Sequence, residues 1–139
     1  MTIRPARPDD VEQVFALAAE LATSFQVRRA AFLDSFHSLL AQDSARVLVA
    51  DDGAELHGYL LGFRHLAFFT NGPIAWVEEL MVSAPVRRGG VGAALMAEFE
   101  SWAYGHGCAL VALATRRAAP FYQALGYEES ATYFRKLRP

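Results

Sequence analysis

A single cysteine, Cys108, is all the thiol this chain has, so no internal disulfide can form and a reducing compartment fits. No apolar run approaches the roughly 20 residues needed to span a bilayer. The opening Met1-Thr2-Ile3-Arg4-Pro5 lacks the basic-then-apolar pattern of a signal peptide. A cytoplasmic protein with no membrane partner is therefore expected. Net charge is only −2, which leaves no broad basic face, and nucleic acid is not an expected partner. The histidines His37, His57, His65 and His106 share no spacing with a cysteine or carboxylate that marks a metal centre. Repeats, linkers and low-complexity segments are missing too.

What is present is a chain of 139 residues, 53% hydrophobic and 20% charged, enough for one domain over 1–139 with a real core. Thr2 to Ala6 reads as a short first strand. Asp9 is placed to cap a first helix, with Glu12 completing a capping box. Val11, Val14, Phe15, Ala18 and Ala22 give that helix its apolar face. A second helix is expected over Arg28 to Ala41, with Leu33, Phe36 and Leu40 on one side. From Arg46 the pattern changes to strands: Val47 to Ala50, Leu56 to Phe69, and Ile74 to Val82. The turns between them are marked by Asp51-Asp52-Gly53 and Asn71-Gly72. Gly58 and Gly62 suggest bulges or close approaches inside the long strand.

A third helix follows, with Val91, Leu95, Phe99 and Trp102 on one face and Gly105-His106-Gly107 as its stop. Cys108 to Ala114 is nearly all apolar, as in a strand buried on both faces. A short helix over Arg117 to Leu125 can accept Pro120 only in its first turn, and Gly126 caps it. Tyr127 to Leu137 is expected to close the chain with one or two strands. The fold class is α/β: antiparallel hairpins followed by a β-α-β unit.

The chemistry concentrates between the third expected strand and the third helix, where Glu78-Glu79-Leu80-Met81-Val82 runs into Ser83-Ala84-Pro85-Val86-Arg87-Arg88-Gly89-Gly90-Val91-Gly92-Ala93. Amides at a helix start carry partial positive charge and favour phosphate. A nucleotide P-loop would need a Lys-Ser/Thr pair that this loop lacks. A dinucleotide fingerprint would need other glycine spacing and an acidic residue after the next strand, where Ala114-Thr115-Arg116 stands instead. A sharp strand-to-helix turn without a ligand is the plain structural alternative.

Arg87-x-x-Gly90-x-Gly92 resembles the pyrophosphate loop of the GNAT superfamily of N-acetyltransferases. Ile3-Arg4-Pro5-Ala6 before Asp9-Asp10-Val11, the Val49-Ala50 and Gly58-Tyr59-Leu60 hairpin, and Phe121-Tyr122-Gln123-Ala124-Leu125-Gly126-Tyr127 are similar to that family's other marks. The resemblance covers essentially the whole chain. It implies an acyl-CoA N-acyltransferase fold, a mixed central sheet of about six to seven strands flanked by about four helices.

By resemblance, the pantetheine arm of acetyl-CoA lies beside Leu80, Met81 and Val82, and amides from Arg87 to Ala93 hold its pyrophosphate. The set is Arg87, Arg88, Gly89, Gly90, Val91, Gly92 and Ala93. Gly90 and Gly92 let the backbone approach without a Cβ in the way. Many members place an asparagine where this chain has Thr115, so Thr115 takes that cofactor position. No metal is implied. Tyr122 matches the general acid, since a phenol stays protonated at neutral pH and can donate to a departing thiolate. Neighbours on a strand point to opposite faces, so Glu78 and Glu79 diverge. If Leu80 and Val82 face the core, Glu79 is the better amine anchor or base, with Glu78 the other candidate.

Phe68, Phe69 and Trp76 are expected to fill a core or line an acceptor cleft. The implied activity is acetyl transfer from acetyl-CoA to a primary amine, on a small molecule or a peptide, by direct attack in a ternary complex. A non-catalytic acyl-CoA-binding or regulatory domain of the same fold is the alternative, and an ATP-using enzyme a third. An exposed sheet edge in such a fold is an expected site of homodimer pairing.

Overall fold

A computed structural model describes residues 1–139. Strands β1 (Thr2–Pro5), β2 (Ala45–Asp51), β3 (Leu56–Ala67) and β4 (Gly72–Val82) pair antiparallel in chain order. A short β5 (Val111–Leu113) adds to β4 in parallel. Helices α1 (Val11–Leu21) and α2 (Arg29–Ala41) lie between β1 and β2 in the chain, while α3 (Val91–Gly105) connects β4 to β5 and α4 (Ala119–Ala124) follows β5. The expected α/β class, mixed sheet and four helices are all present, with five strands rather than six or seven.

Alternation along the strands divides the apolar residues between two cores. Leu48, Leu60, Val77, Leu95, Met96 and Phe99 pack on the α3 side. Val14, Leu17, Phe36, Val49, Tyr59 and Met81 pack beneath α1 and α2. The two glycines of the long strand are close approaches. A Cβ on Gly62 would sit 2.2 Å from Cε1 of the buried Phe99, and one on Gly58 would meet the Met81 carbonyl oxygen at 2.7 Å. Arg64 ties the far end of β3 down, bonding the Asp43 carbonyl and carboxylate and lying 5.2 Å from the Trp102 ring.

Several expectations are corrected. The carboxylate that organises the start of α1 belongs to Asp10, not Asp9. It is buried, accepts the Arg7 amide at 2.7 Å and takes two hydrogen bonds from the Arg4 guanidinium at 2.8 and 2.9 Å. Pro8–Asp10 forms a 3₁₀ turn ahead of the helix, and Glu12 pairs with Arg29 instead of closing a capping box. In α2 only Phe36 is buried, because much of that helix faces a cavity described below.

Only Val111–Leu113 of the Cys108–Ala114 run is a strand, and it is half-buried. It is the last strand of the sheet, so its outer edge is unpaired. Tyr127 to Leu137 forms no strand, and residues 128–139 are exposed. Phe68 and Phe69 belong to neither core nor cleft: they stand exposed in the turn between β3 and β4.

Gly62→Ala is expected to lower stability by about 1–3 kcal/mol, because Phe99 cannot retreat within a packed core. A lower urea midpoint with an unchanged m-value would show this. Hydrogen bonds from Arg4, then the Arg7 amide, hold the Asp10 carboxyl below its usual range. A carboxyl depressed on folding contributes stability above its unfolded pKa of about 3.9 and loses it as pH falls through the lower folded value. Asp10→Asn should therefore be less stable at pH 7 and lose less stability between pH 4 and pH 2 than the parent.

Candidate active site

The pairing of β3 with β4 contains one irregularity. Gly62 lies opposite Val77 but Leu61 lies opposite Glu79, so Glu78 is an extra residue in β4. Such a bulge bends the strand and changes which face each later residue takes. Without it, Glu79 would share a face with Val77 and point to the α3 core. With it, Glu79 points to the α1–α2 side together with Met81, and Leu80 and Val82 pack on the α3 side. Glu78 itself is exposed on the bulge.

The parallel contact between β4 and β5 stops at the same place. It covers Ala75 to Val77 and goes no further. The Ser83 amide donates to the His57 carbonyl at 2.8 Å. Antiparallel pairs alternate between bonded and unbonded, so 59/81 and 61/79 are the next bonded pairs. Met81 thus spends its backbone groups on β3, whereas Leu80 and Val82 turn theirs away, into the gap that opens beside β5.

At the end of that gap the chain turns through a 3₁₀ segment, Ala84–Val86, into α3. The amides of Val86, Arg87 and Gly89 are used inside the turn, on the carbonyls of Ser83, Ala84 and Val86. Those of Arg88, Gly90, Val91, Gly92 and Ala93 find no acceptor in the protein. Arg88 at φ 70° and Gly90 at φ 84° curl the backbone so that these donors converge at the positive end of a 15-residue helix.

Gly90 needs its glycine for that left-handed angle. Gly92 needs its own for another reason than the expected ligand approach, since a Cβ there would meet Phe121 Cζ at 3.1 Å. The Val91 side chain is buried in the α3 core. The Arg87 guanidinium folds back, and its Nε donates to the Val82 carbonyl at 2.9 Å.

The contact between Gly92 and Phe121 sets α4 against the first turn of α3. The end of α4 is closed by Gly126 at φ 93°, whose amide bonds the Gln123 carbonyl while the Tyr127 amide bonds that of Tyr122. This is a Schellman arrangement, and the Tyr122 and Tyr127 rings, 6.0 Å apart, supply its apolar contact. Tyr127 is fixed in turn by its hydroxyl, which donates to Glu100 at 2.6 Å. Tyr122 is thus held by both neighbours, and burial alone pushes its phenol pKa up. The Thr115 hydroxyl is engaged locally, accepting the Ala118 amide at 3.1 Å.

On the opposite face, a cavity of about 420 Å³ lies between the sheet, α1, α2 and the segment joining those helices. Glu79 lines it and accepts a 2.6 Å hydrogen bond from the Tyr59 hydroxyl. Burial first, and the Glu79 charge second, push the Tyr59 pKa well up. Tyr59, Phe25 and Phe32 are site residues that motif reading missed. For Tyr59 the sequence carried no signal: reflection about Asn71-Gly72 would set it near residue 84, and only the Ala67–Gly72 closure with the bulge sets it opposite Met81 and diagonal to Glu79.

The histidines also hold a surprise, since the turn after β2 brings His57 to carboxylates. Its Nε2 lies 2.5 Å from Asp52, and the ligand atoms of Asp52, Glu55 and His57 all fall within 4.8 Å of one another. Asp52 is engaged there by the turn itself, accepting the amides of Ala54 and Glu55 at 2.8 Å. Cys108 is buried, and burial raises its thiol pKa, which disfavours the thiolate a nucleophile needs.

Comparison with known proteins bears on the family and the fold. A family model described as an acetyltransferase (GNAT) domain matches residues 43–129. An aminoalkylphosphonate N-acetyltransferase of Salmonella typhimurium is 30% identical over 140 residues, covering 96% of this chain and 89% of the relative. A transcriptional regulator from Bacillus halodurans superposes with a TM-score of 0.90 at 23% identity, over 99% of both chains. A glucosamine-6-phosphate N-acetyltransferase from Arabidopsis thaliana does so at 0.86 and 18% identity, over 98% of this chain and 97% of its own. Those two structural likenesses concern the fold.

Inorganic pyrophosphate should perturb the amide signals of Arg88, Gly90, Val91, Gly92 and Ala93 in a nitrogen-15 NMR titration, and spare those of Arg87 and Gly89. Gly90→Ala should weaken the effect, since a left-handed conformation costs a residue with a Cβ about 1–2 kcal/mol.

Proposed function

The chain belongs to the GNAT acetyltransferase family, and we propose that it transfers an acetyl group from acetyl-CoA to the primary amine of a small molecule. One observation carries the reading. β4 runs on past the end of its pairing with β5 into a loop with five amides that have no protein acceptor, while Glu79 lines the cavity under α2 and Tyr122 packs on the α3 side. Bound acetyl-CoA supplies a thioester carbonyl, which the amine converts to an amide with release of the free thiol.

The parts of the chain divide the work. The amides of Arg88 and Gly90 to Ala93 hold the pyrophosphate, with Arg88 adding charge. The free backbone groups of Leu80 and the amide of Val82 pair with the extended arm as another strand would. Arg87, bonded to the Val82 carbonyl, fixes where strand ends and loop begins. Of the two glutamates, Glu79 is the one aimed into a cavity. It binds the acceptor as an ammonium and takes its proton, freeing the lone pair for attack. As the carbon–sulfur bond breaks, Tyr122 gives its proton to the leaving sulfur, and the second proton that the nitrogen sheds on becoming an amide restores the phenol by way of solvent. Burial suits it to that role, because it pushes the phenol pKa up and so favours the protonated form.

Acceptors of a small size agree with the relatives, whose names cite an aminoalkylphosphonate and glucosamine-6-phosphate. Tyr122→Phe is expected to lower kcat about 100-fold or more while leaving the acetyl-CoA Kd within about twofold. Glu79→Gln should lower kcat/KM for the amine by a similar factor, and Glu78→Gln should have little effect. Release of free thiol and calorimetric titration with acetyl-CoA would measure both quantities.

A further inference from the structure

We infer that the acceptor carries its amine on an apolar body, an arylalkyl or branched alkyl group, and this rests on the transfer reading above. The cavity that contains Glu79 is built for such a shape. Eleven of its fifteen lining residues are hydrophobic, and its volume of about 420 Å³ falls within the usual range of small-molecule sites, about 300–1,000 Å³.

The walls come from four places, one of them α1 through Val14 and Ala18. Phe32 and Leu39 project from α2, Val47 and Leu61 from the sheet, and Phe25 and Val27 from the segment joining α1 and α2. Part of the apolar side of α2 therefore faces the cavity rather than protein, which is why that 13-residue helix buries only Phe36. Phe25 lines the cavity and is still 70% exposed, so an apolar ligand would give it the cover that the fold does not.

Charge is scarce in this lining. Glu79 is its one carboxylate, and Arg28, exposed, is its one cation. A polyamine or aminoglycoside needs a carboxylate for each further ammonium, yet Glu78 is exposed on the bulge and absent from the walls. A sugar or phosphonate would find partners only in Gln26, Arg28 and Ser35 and would set its remaining polar groups against apolar walls, a cost such sites avoid. One ammonium on Glu79, with a hydrocarbon body filling the remainder, matches the eleven hydrophobic residues of the lining. Tyr59 acts as a positioning residue: its hydroxyl holds one carboxylate oxygen and leaves the other for the amine.

The test compares 2-phenylethylamine and 3-methylbutylamine with aminomethylphosphonate, spermidine and kanamycin, each with acetyl-CoA, by thiol release. The two apolar amines should exceed the others in kcat/KM by about tenfold or more, the size expected when one pocket contact is gained or lost. Ala31 faces the cavity from an exposed position on α2. Ala31→Phe should therefore raise KM for 2-phenylethylamine about tenfold, with acetyl-CoA binding intact as evidence of folding. Faster turnover of a polar amine, no turnover of either apolar amine by protein that binds acetyl-CoA, or an unchanged KM in Ala31→Phe overturns this inference. Failure to bind acetyl-CoA overturns the transfer reading beneath it.

Discussion

One extra residue in β4 governs the arrangement of this molecule. A strand alternates its side chains with period two, so an insertion at Glu78 reverses the assignment of everything after it. Val77 stays with the α3 core, Glu79 is sent to the opposite face, and Leu80 and Val82 return to the first. The parallel bonds to β5 end at the same level. Where β5 no longer follows, the backbone groups of Leu80 and the amide of Val82 have an open edge beside them, and Arg87 takes the Val82 carbonyl.

The two cores follow from that division and serve different ends. The α3 core is dense: Leu95 and Phe99 are fully buried, and Gly62 and Gly92 bring their elements closer than a side chain would allow. Dense packing fixes the start of α3, and with it the direction of the free amides. The core beneath α1 and α2 is looser because α2 stands off the sheet and encloses a cavity. Tyr122 and Glu79 therefore meet different mechanical conditions. The phenol is clamped by the end of α4 and the Tyr127–Glu100 bond, whereas the carboxylate is oriented by Tyr59 at the margin of open space.

Much of this is legible in the sequence. The loop, both glutamates and Tyr122 stand out there, and alternation puts Glu79 and Leu80 on opposite faces. Counted backward from Leu80, that result has no need of the bulge. The misplaced expectations share one physical cause, the use of local pattern where burial decides. Cys108 to Ala114 is apolar enough for a central strand, but it ends at an uncovered edge. Phe68 and Phe69 suit a core by type and stand exposed in a turn. Asp9 and Asp10 are equivalent as caps in sequence, and only the approach of Arg4 from β1 selects Asp10.

From the order of residues alone follow the α/β succession of elements, the glycine-dependent turn into α3 and the chemical inventory of two carboxylates, a phenol and a run of amides. These depend on period, on φ and on residue type, which are local properties. Three features exist only in the folded chain: which amides stay free, which glutamate enters a cavity, and the walling of that cavity by Phe25, Phe32 and Leu61. Each of those depends on what lies opposite. A hydrogen bond is spent or spare only once its neighbours are placed, and a face becomes interior only when a second element covers it.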